Sequence, residues 1–227
     1  MVNNYKLNFS LLTLMMFATC VGIAQIPNPG FENWHSQGFP SYNEPDNWGT
    51  LNSSTAIIGV YTVEKATGAA NIHSGTAAMK LSTHYIAFAS ATAPGMAVTG
   101  TINTNNQSVN GGFPFSTRPT LLTGWYKGTP ASGDTSQVEV YLFKNNGTSQ
   151  VTVADGIFRS GATVSSYTRF IITLNYHTND VPDTGRILLF SSNPNNPIEP
   201  SVLYIDDLAF VDCAGLAPVL MLTTPPM

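Results

Sequence analysis

Beyond the first two dozen residues the chain carries almost no helical period. Hydrophobic positions recur in short runs rich in β-branched and aromatic residues, parted by Gly, Pro, Asn and Ser. These runs predict strands at Ala56–Val63, Ala77–Phe88, Ala97–Ile102, Thr120–Lys127, Val138–Lys144, Val151–Phe158, Thr168–Tyr176, Arg186–Ser191 and Val202–Val211. The sharpest alternation is in Gln137–Phe143. Val138, Val140 and Leu142 share one face, and Glu139, Tyr141 and Phe143 share the other. Asn145-Asn146-Gly147 then predicts a tight turn into Gln150–Val153, which makes a hairpin. About nine strands with regularly spaced turns predict an all-β, jelly-roll β-sandwich, with a closed barrel as the other all-β arrangement. Polar loops are predicted at Asn103–Gly112 and Ser192–Pro200. No repeat of solenoid or propeller length is present.

The opening residues follow a different pattern. Lys6 is the only charged side chain before Glu32, and Leu7–Ile23 is mostly apolar. Its central run, Leu11–Ala18, is too short to span a bilayer. Small residues at Gly22 and Ala24 precede Gln25, so the pattern predicts a cleaved signal peptide, residues 1–24. Lipidation at Cys20 competes with this reading, but Phe17-Ala18-Thr19 fits the required small-residue box poorly. The sandwich is expected over residues 25–213, and a Pro-rich tail, expected to be disordered, over 214–227. The product is expected to be secreted, or held at the cell surface or in the periplasm, with no membrane span. Cleavage leaves Cys213 as the only cysteine, so neither an internal disulfide nor a CxxC site is expected.

Charge narrows the partner class. Nine basic and thirteen acidic residues give a net charge of −4, which provides no basic footprint for nucleic acid. Charged residues make up 10% of the chain, well under the usual quarter or so. Ser, Thr and Asn replace them, and such a surface suits neutral ligands.

Two acidic positions carry the candidate metal chemistry. Glu32 lies in the opening segment NPGFENW, and Asp206-Asp207 interrupts the apolar closing strand VLYIDDLAF. A carboxylate within an apolar strand is costly unless paired or cation-bound. Jelly-roll ends commonly lie side by side, so Glu32 is expected to meet Asp206 or Asp207, with the Ser74 loop (His73–Thr76) supplying carbonyls to a structural Ca2+. The alternative has one Asp facing solvent and the other accepting backbone hydrogen bonds. For ligand binding the candidates are aromatic. Tyr42 and Trp48 sit in Pro/Asn-rich sequence and Trp125-Tyr126 ends a strand, so all four are expected to stack on sugar rings or to pack in the core. Trp34 is expected in the core. GxSxG, HExxH and Walker motifs are absent, and the four histidines are scattered. No Glu stands in a recognisable glycosidase setting. Asn52, Asn106 and Asn146 open glycosylation sequons.

Taken together, NPGFENW, PDNWGT (45–50), HSGTAAMKL (73–81), RPTLLTGWYKGTP (118–130), FSSNP and VLYIDDLAF resemble the putative carbohydrate metabolism domain family of exported bacterial β-sandwiches. The likeness covers residues 26 to 212, and these motifs are also common in jelly-roll carbohydrate-binding modules. It implies a galactose-binding-like jelly roll in a carbohydrate context, and it implies that Glu32 and Asp206 hold a structural calcium. It supplies no catalytic residues. The expected function is a non-catalytic glycan- or polysaccharide-binding module. A structural or adhesive surface protein and a carbohydrate-active enzyme stand as alternatives.

Overall fold

The structure, a computed structural model, describes residues 21–23 and 26–212. The predicted cleavage point, both cysteines and the predicted tail lie outside the described residues. Two antiparallel sheets face each other. The first has six strands, in the order Val164–Thr173, Leu121–Thr129, Val202–Asp212, Ala78–Ser82, Val63–Ala66, with Val21–Ile23 added alongside the end of Val202–Asp212. The second has seven, in the order Asn175–Tyr176, Gln150–Ser160, Ser136–Asn145, Thr184–Phe190, Met96–Val98, Gly49–Thr50, with Phe113–Pro114 beside Thr184–Phe190. Neither sheet closes on itself, so the molecule is a β-sandwich of the predicted jelly-roll type.

The core lies between the sheets because alternation delivers it there. Val138, Val140 and Leu142 face Leu122, Leu203 and Phe210, all buried. The predicted hairpin forms: Asn145 pairs Gln150, and Gly147 turns at φ +91°. Asn146 Oδ1 accepts from the amides of Thr148 and Ser149.

The early predicted strands are where pattern and structure part. Ala56–Val63 is not a strand. It holds a 3-10 turn, Ala56–Ile58, ended by Gly59 at φ +72°, and only Val63 enters the sheet. Ile57 and Ile58 are exposed, so their β-branched run reflects no buried face. Asn52 explains the departure. Fully buried, it offers Oδ1 to the Thr62 and Val63 amides and donates Nδ2 to Val63 O at 2.7 Å, acting as a substitute strand at the sheet edge. Ala77–Phe88 breaks at Thr83, whose hydroxyl meets Ser191 Oγ at 2.7 Å, into Ala78–Ser82 and His84–Ile86. The predicted Asn103–Gly112 loop is instead a ribbon, Thr101–Asn103 paired with Ser108–Asn110.

Asn52→Ala leaves the Thr62 and Val63 amides without their acceptor. It is expected to cost about 3 kcal/mol, measured by urea unfolding. The same burial keeps the Asn52 sequon unmodified in the folded chain, which mass spectrometry of material from a glycosylating host checks.

Candidate functional site

The closing strand carries a bulge. Opposite Leu121–Thr129, Thr123 pairs Ala209 while Trp125 pairs Asp206, and Asp207 takes φ +50°. The extra residue lets Ile205 and Leu208 both face the core and sends both aspartates the other way. A Cβ on Gly124, across the bulge, would stand 2.7 Å from Leu208 Cδ2 and from Phe170, so a larger residue there would displace those buried side chains. The start of the chain runs along the same strand, with the Leu208 amide donating to Pro29 O at 3.0 Å.

Ser74, Asp206 and Asp207 meet at the 73–76 loop, while Glu32 bonds the far end of that loop at Thr76 and, among the described residues, makes no bond to either aspartate. Asp206 Oδ2 accepts from the His73 amide (2.9 Å) and the Ser74 amide (3.3 Å). Asp207 accepts from Ser74 Oγ (2.9 Å) and lies 2.6 Å from His73 Nδ1. Glu32 accepts from the Thr76 amide at 3.0 Å and from its hydroxyl at 2.5 Å. Its Oε1 fills the space where Gly75 (φ +65°) would carry a Cβ. Burial alone would raise the Glu32 carboxyl, but the Thr76 and Ala77 bonds and the Lys65 charge outweigh it and hold the group below its ordinary value. At Asp206 burial wins, and the Asp207 charge adds to the rise. The donor set is all hard oxygen, the type calcium takes. Among the described residues, however, no three His, Cys, Asp or Glu side chains are grouped as metal ligands. The carboxylates are turned onto the protein's own donors.

The predicted aromatics do not gather into one binding surface. Trp48 is 3% exposed, tilts against Phe31 and donates Nε1–H to Pro27 O at 3.0 Å. Tyr126 is buried among Phe158 and Phe170. For both, core burial corrects the expected stacking role, because a large ring gains more inside than in a loop. Trp125 is half-buried, and His73 stacks on it at 4.0 Å with 13° between the planes. Together with Lys127, which donates to Ala70 O and Asn71 Oδ1, it fastens the loop that carries Ser74. Tyr42 stands apart, in a hollow of about 220 Å³ shared with Tyr61 and Glu64.

A groove of about 680 Å³ lies at one end of the sandwich. One wall is the hairpin Trp34–Gln37/Tyr42–Pro45, the floor is Trp48–Thr50 and Thr99–Gly100, and the far wall is the 101–110 ribbon. Gln37, Asn47, Ser53, Thr101 and Asn110 give it neutral polar groups, and His35 and Glu44 add titratable ones. Glu44 is 5% exposed and accepts from the Thr50 amide (2.7 Å) and hydroxyl (2.8 Å). Burial pushes its carboxyl up despite these bonds and the opposing charge of His35. His35 is itself held 2.7 Å from Asp46. The Pro/Asn-rich sequence around Tyr42 and Trp48, singled out above, supplies the floor through Trp48–Thr50. Sequence reasoning missed Gln37, Ser53, Thr101 and Asn110, which carry no signal beyond polarity until the fold brings their segments together.

No protein-family model matches the chain, and no curated protein matches it. Among solved structures, it is similar to a putative glycoside hydrolase from Bacteroides vulgatus, with 17% identity and TM-score 0.63 over 80% of this chain and 96% of that one. It is also similar to a putative glycoside hydrolase from Bacteroides thetaiotaomicron, with 19% identity and TM-score 0.65 over 84% of this chain and 71% of that one. At these identities the likeness establishes the shared fold.

The hub sets an acid response. Glu32, lowered in the fold, contributes stability above its unfolded value near 4.5, and this contribution is lost as pH falls through the folded value. Asp206, raised, has the opposite sign: its contribution is present at low pH and lost as pH rises through the folded value. Glu32→Gln is expected to cost about 2 kcal/mol at pH 7. The gap to the unsubstituted protein should close as pH falls below 4.5 and through the folded value, read by denaturant unfolding across pH.

Proposed function

We propose that the chain is an exported, non-catalytic carbohydrate-associated binding module, and that the end groove takes a neutral glycan. The observation that carries this reading is the groove's lining. Amide and hydroxyl side chains from separated segments converge on a space large enough for a short saccharide. Net charge is small, so nothing selects for a charged polymer. Hydrolysis needs two carboxylates flanking the bond, and among the described residues Glu44 is the only carboxylate lining the groove. Its oxygens are already committed to Thr50. The motif resemblance and the fold shared with the Bacteroides proteins support a carbohydrate setting. Export follows from the opening signal pattern.

Calcium belongs to the proposal as a structural staple. Glu32, Ser74, Asp206 and Asp207 supply hard oxygens where the first and last segments meet. A bound ion would take the place of the Thr76 and Ser74 hydroxyl donors and relieve the crowding of negative charge between Asp206 and Asp207. A second reading, a structural or adhesive surface protein, draws on apolar side chains at loop tips: Phe39 is 95% exposed and Phe88 72%.

On an array of neutral oligosaccharides, the secreted form is expected to bind a defined glycan, and Gln37→Ala/Asn110→Ala to weaken it at least tenfold. A folded protein that binds nothing on the array favours the adhesive reading. Elemental analysis is expected to find calcium in the purified protein, and chelation to lower the melting temperature by about 5 °C. No calcium and an unmoved melting temperature remove the ion from the account.

A further inference from the structure

The outward face of the seven-stranded sheet carries a second feature that neither the groove nor the carboxylate hub uses. Along Ser136–Asn145 the outward residues are Gln137, Glu139, Tyr141 and Phe143, a line about 20 Å long at strand rise. Registration sets their neighbours. Gln137 lies between Arg159 and Phe190, Glu139 between Ile157 and Leu188, and Tyr141 between Asp155 and Arg186. The Leu188/Phe190 side is covered, because Ile102 and Val109 of the 101–110 ribbon pack on it, and Tyr141 packs one side of its ring there while the rest faces out. The other side is open, and Ile157 is 42% exposed there.

The side chains on this shelf are joined in sequence. Arg159 Nε donates to Gln137 Oε1 at 2.7 Å, Gln137 Nε2 donates to Glu139 Oε1, and Tyr141 OH donates to Glu139 Oε2 at 2.8 Å. Tyr141 and Phe143 hold their rings nearly parallel, 9° apart with centroids at 5.9 Å. Arg186 lies 4.9 Å from the Phe143 centroid and is itself pinned by two bonds to Gly111 O. Glu139 is thus a carboxylate ordered by neutral donors, with no cation among its partners. Gln137 is buried and ties exposed Arg159 to half-buried Glu139 and Tyr141 in one chain on rigid backbone, the condition for a preorganised binding surface. The charges balance: Arg159 and Arg186 against Glu139 and Asp155.

We propose that this shelf is a second binding surface for a neutral polysaccharide, which lies along the strand direction. Tyr141 and Phe143 meet the apolar faces of the sugar rings, Glu139 accepts from hydroxyls, and the Arg159 guanidinium donates to them. This inference rests on the carbohydrate reading above and extends it to a second site.

The test uses the secreted form with cello-, xylo-, manno- and arabino-oligosaccharides of six units, measured by calorimetry. Four proteins are compared: unsubstituted, Glu139→Gln, Tyr141→Ala/Phe143→Ala, and the groove variant Gln37→Ala/Asn110→Ala. Glu139→Gln nearly preserves shape and serves as the variant least able to disturb folding. Melting temperatures report folding in every case. The expected result is a tenfold or greater loss of affinity for at least one hexasaccharide in both shelf variants, with melting temperature held in Glu139→Gln. Binding lost only in the groove variant overturns the shelf and leaves the module reading standing. No binding by the unsubstituted protein overturns both.

Discussion

The bulge at Asp206-Asp207 is the constraint on which the rest of the molecule depends. Val202–Asp212 lies inside the six-stranded sheet, so its register fixes Leu121–Thr129 on one side and Ala78–Ser82 on the other. Without the extra residue, strict alternation would place Ile205 and Leu208 on opposite faces. With it, both are buried, and two carboxylates meet the opening segment and the 73–76 loop. Asp206 is 0% exposed, a position that is costly for an ionised group unless its oxygens are satisfied. The His73, Ser74 and Asp207 amides satisfy them. The cost of burying Asp206 and the ordering of the loop are therefore one arrangement.

The same device recurs across the chain. Asp134, 3% exposed, accepts from the Thr135 amide (2.7 Å), the Asn193 amide (2.9 Å) and the Ser192 and Ser201 hydroxyls. This carboxylate gathers the long Ser191–Ser201 connection. Burial alone would raise it, yet these donors together hold it below its ordinary value. Asp206 differs because burial outweighs its backbone bonds, and the adjoining Asp207 charge adds to the rise. Glu44 organises Thr50, and Asp183 accepts from the Asn145 amide. With charged residues at 10%, the buried carboxylates Glu44, Asp134 and Asp206 act as acceptors that order irregular backbone. Exposed ion pairs contribute little to stability, whereas an unsatisfied buried amide costs more.

Much of this was legible in sequence where the strand period was long. The later strands, from Leu121 onward, are long and continuous, and where they bury alternate side chains, as at Val138–Phe143 and Val202–Ile205, pattern and structure agree. That Asp206 and Asp207 draw in partners was legible as well, since a carboxylate pair inside an apolar strand demands them, and the His73–Ser74 loop supplies them. The early region was not. The Ile57–Ile58 run reads as strand, but Asn52, a polar residue with no local signal, holds that edge from inside. Trp48 was misplaced for a related reason. Its Pro/Asn-rich surroundings mark a loop, and nothing local says that the loop is drawn under Phe31. The groove could not be read from the sequence because its lining comes from segments brought together only by the sheets.

The 101–110 ribbon shows how one small element can define both surfaces. Its residues pair as Ile102 with Val109 and Thr101 with Asn110, and successive pairs of a two-stranded ribbon point to opposite sides. The Ile102/Val109 pair covers Val98, Leu188 and Phe190 and so closes the apolar half of the outer sheet face. The Thr101/Asn110 pair is left for the groove. Gly100 lets the ribbon approach this closely, since a Cβ there would stand 2.4 Å from Asn110 O. At the ribbon's other edge, Arg186 reaches from the shelf to Gly111 O. Apolar packing on one side therefore sets the position of the polar groups on the other, and the groove wall takes its rigidity from the sheet beneath it rather than from its own short strands.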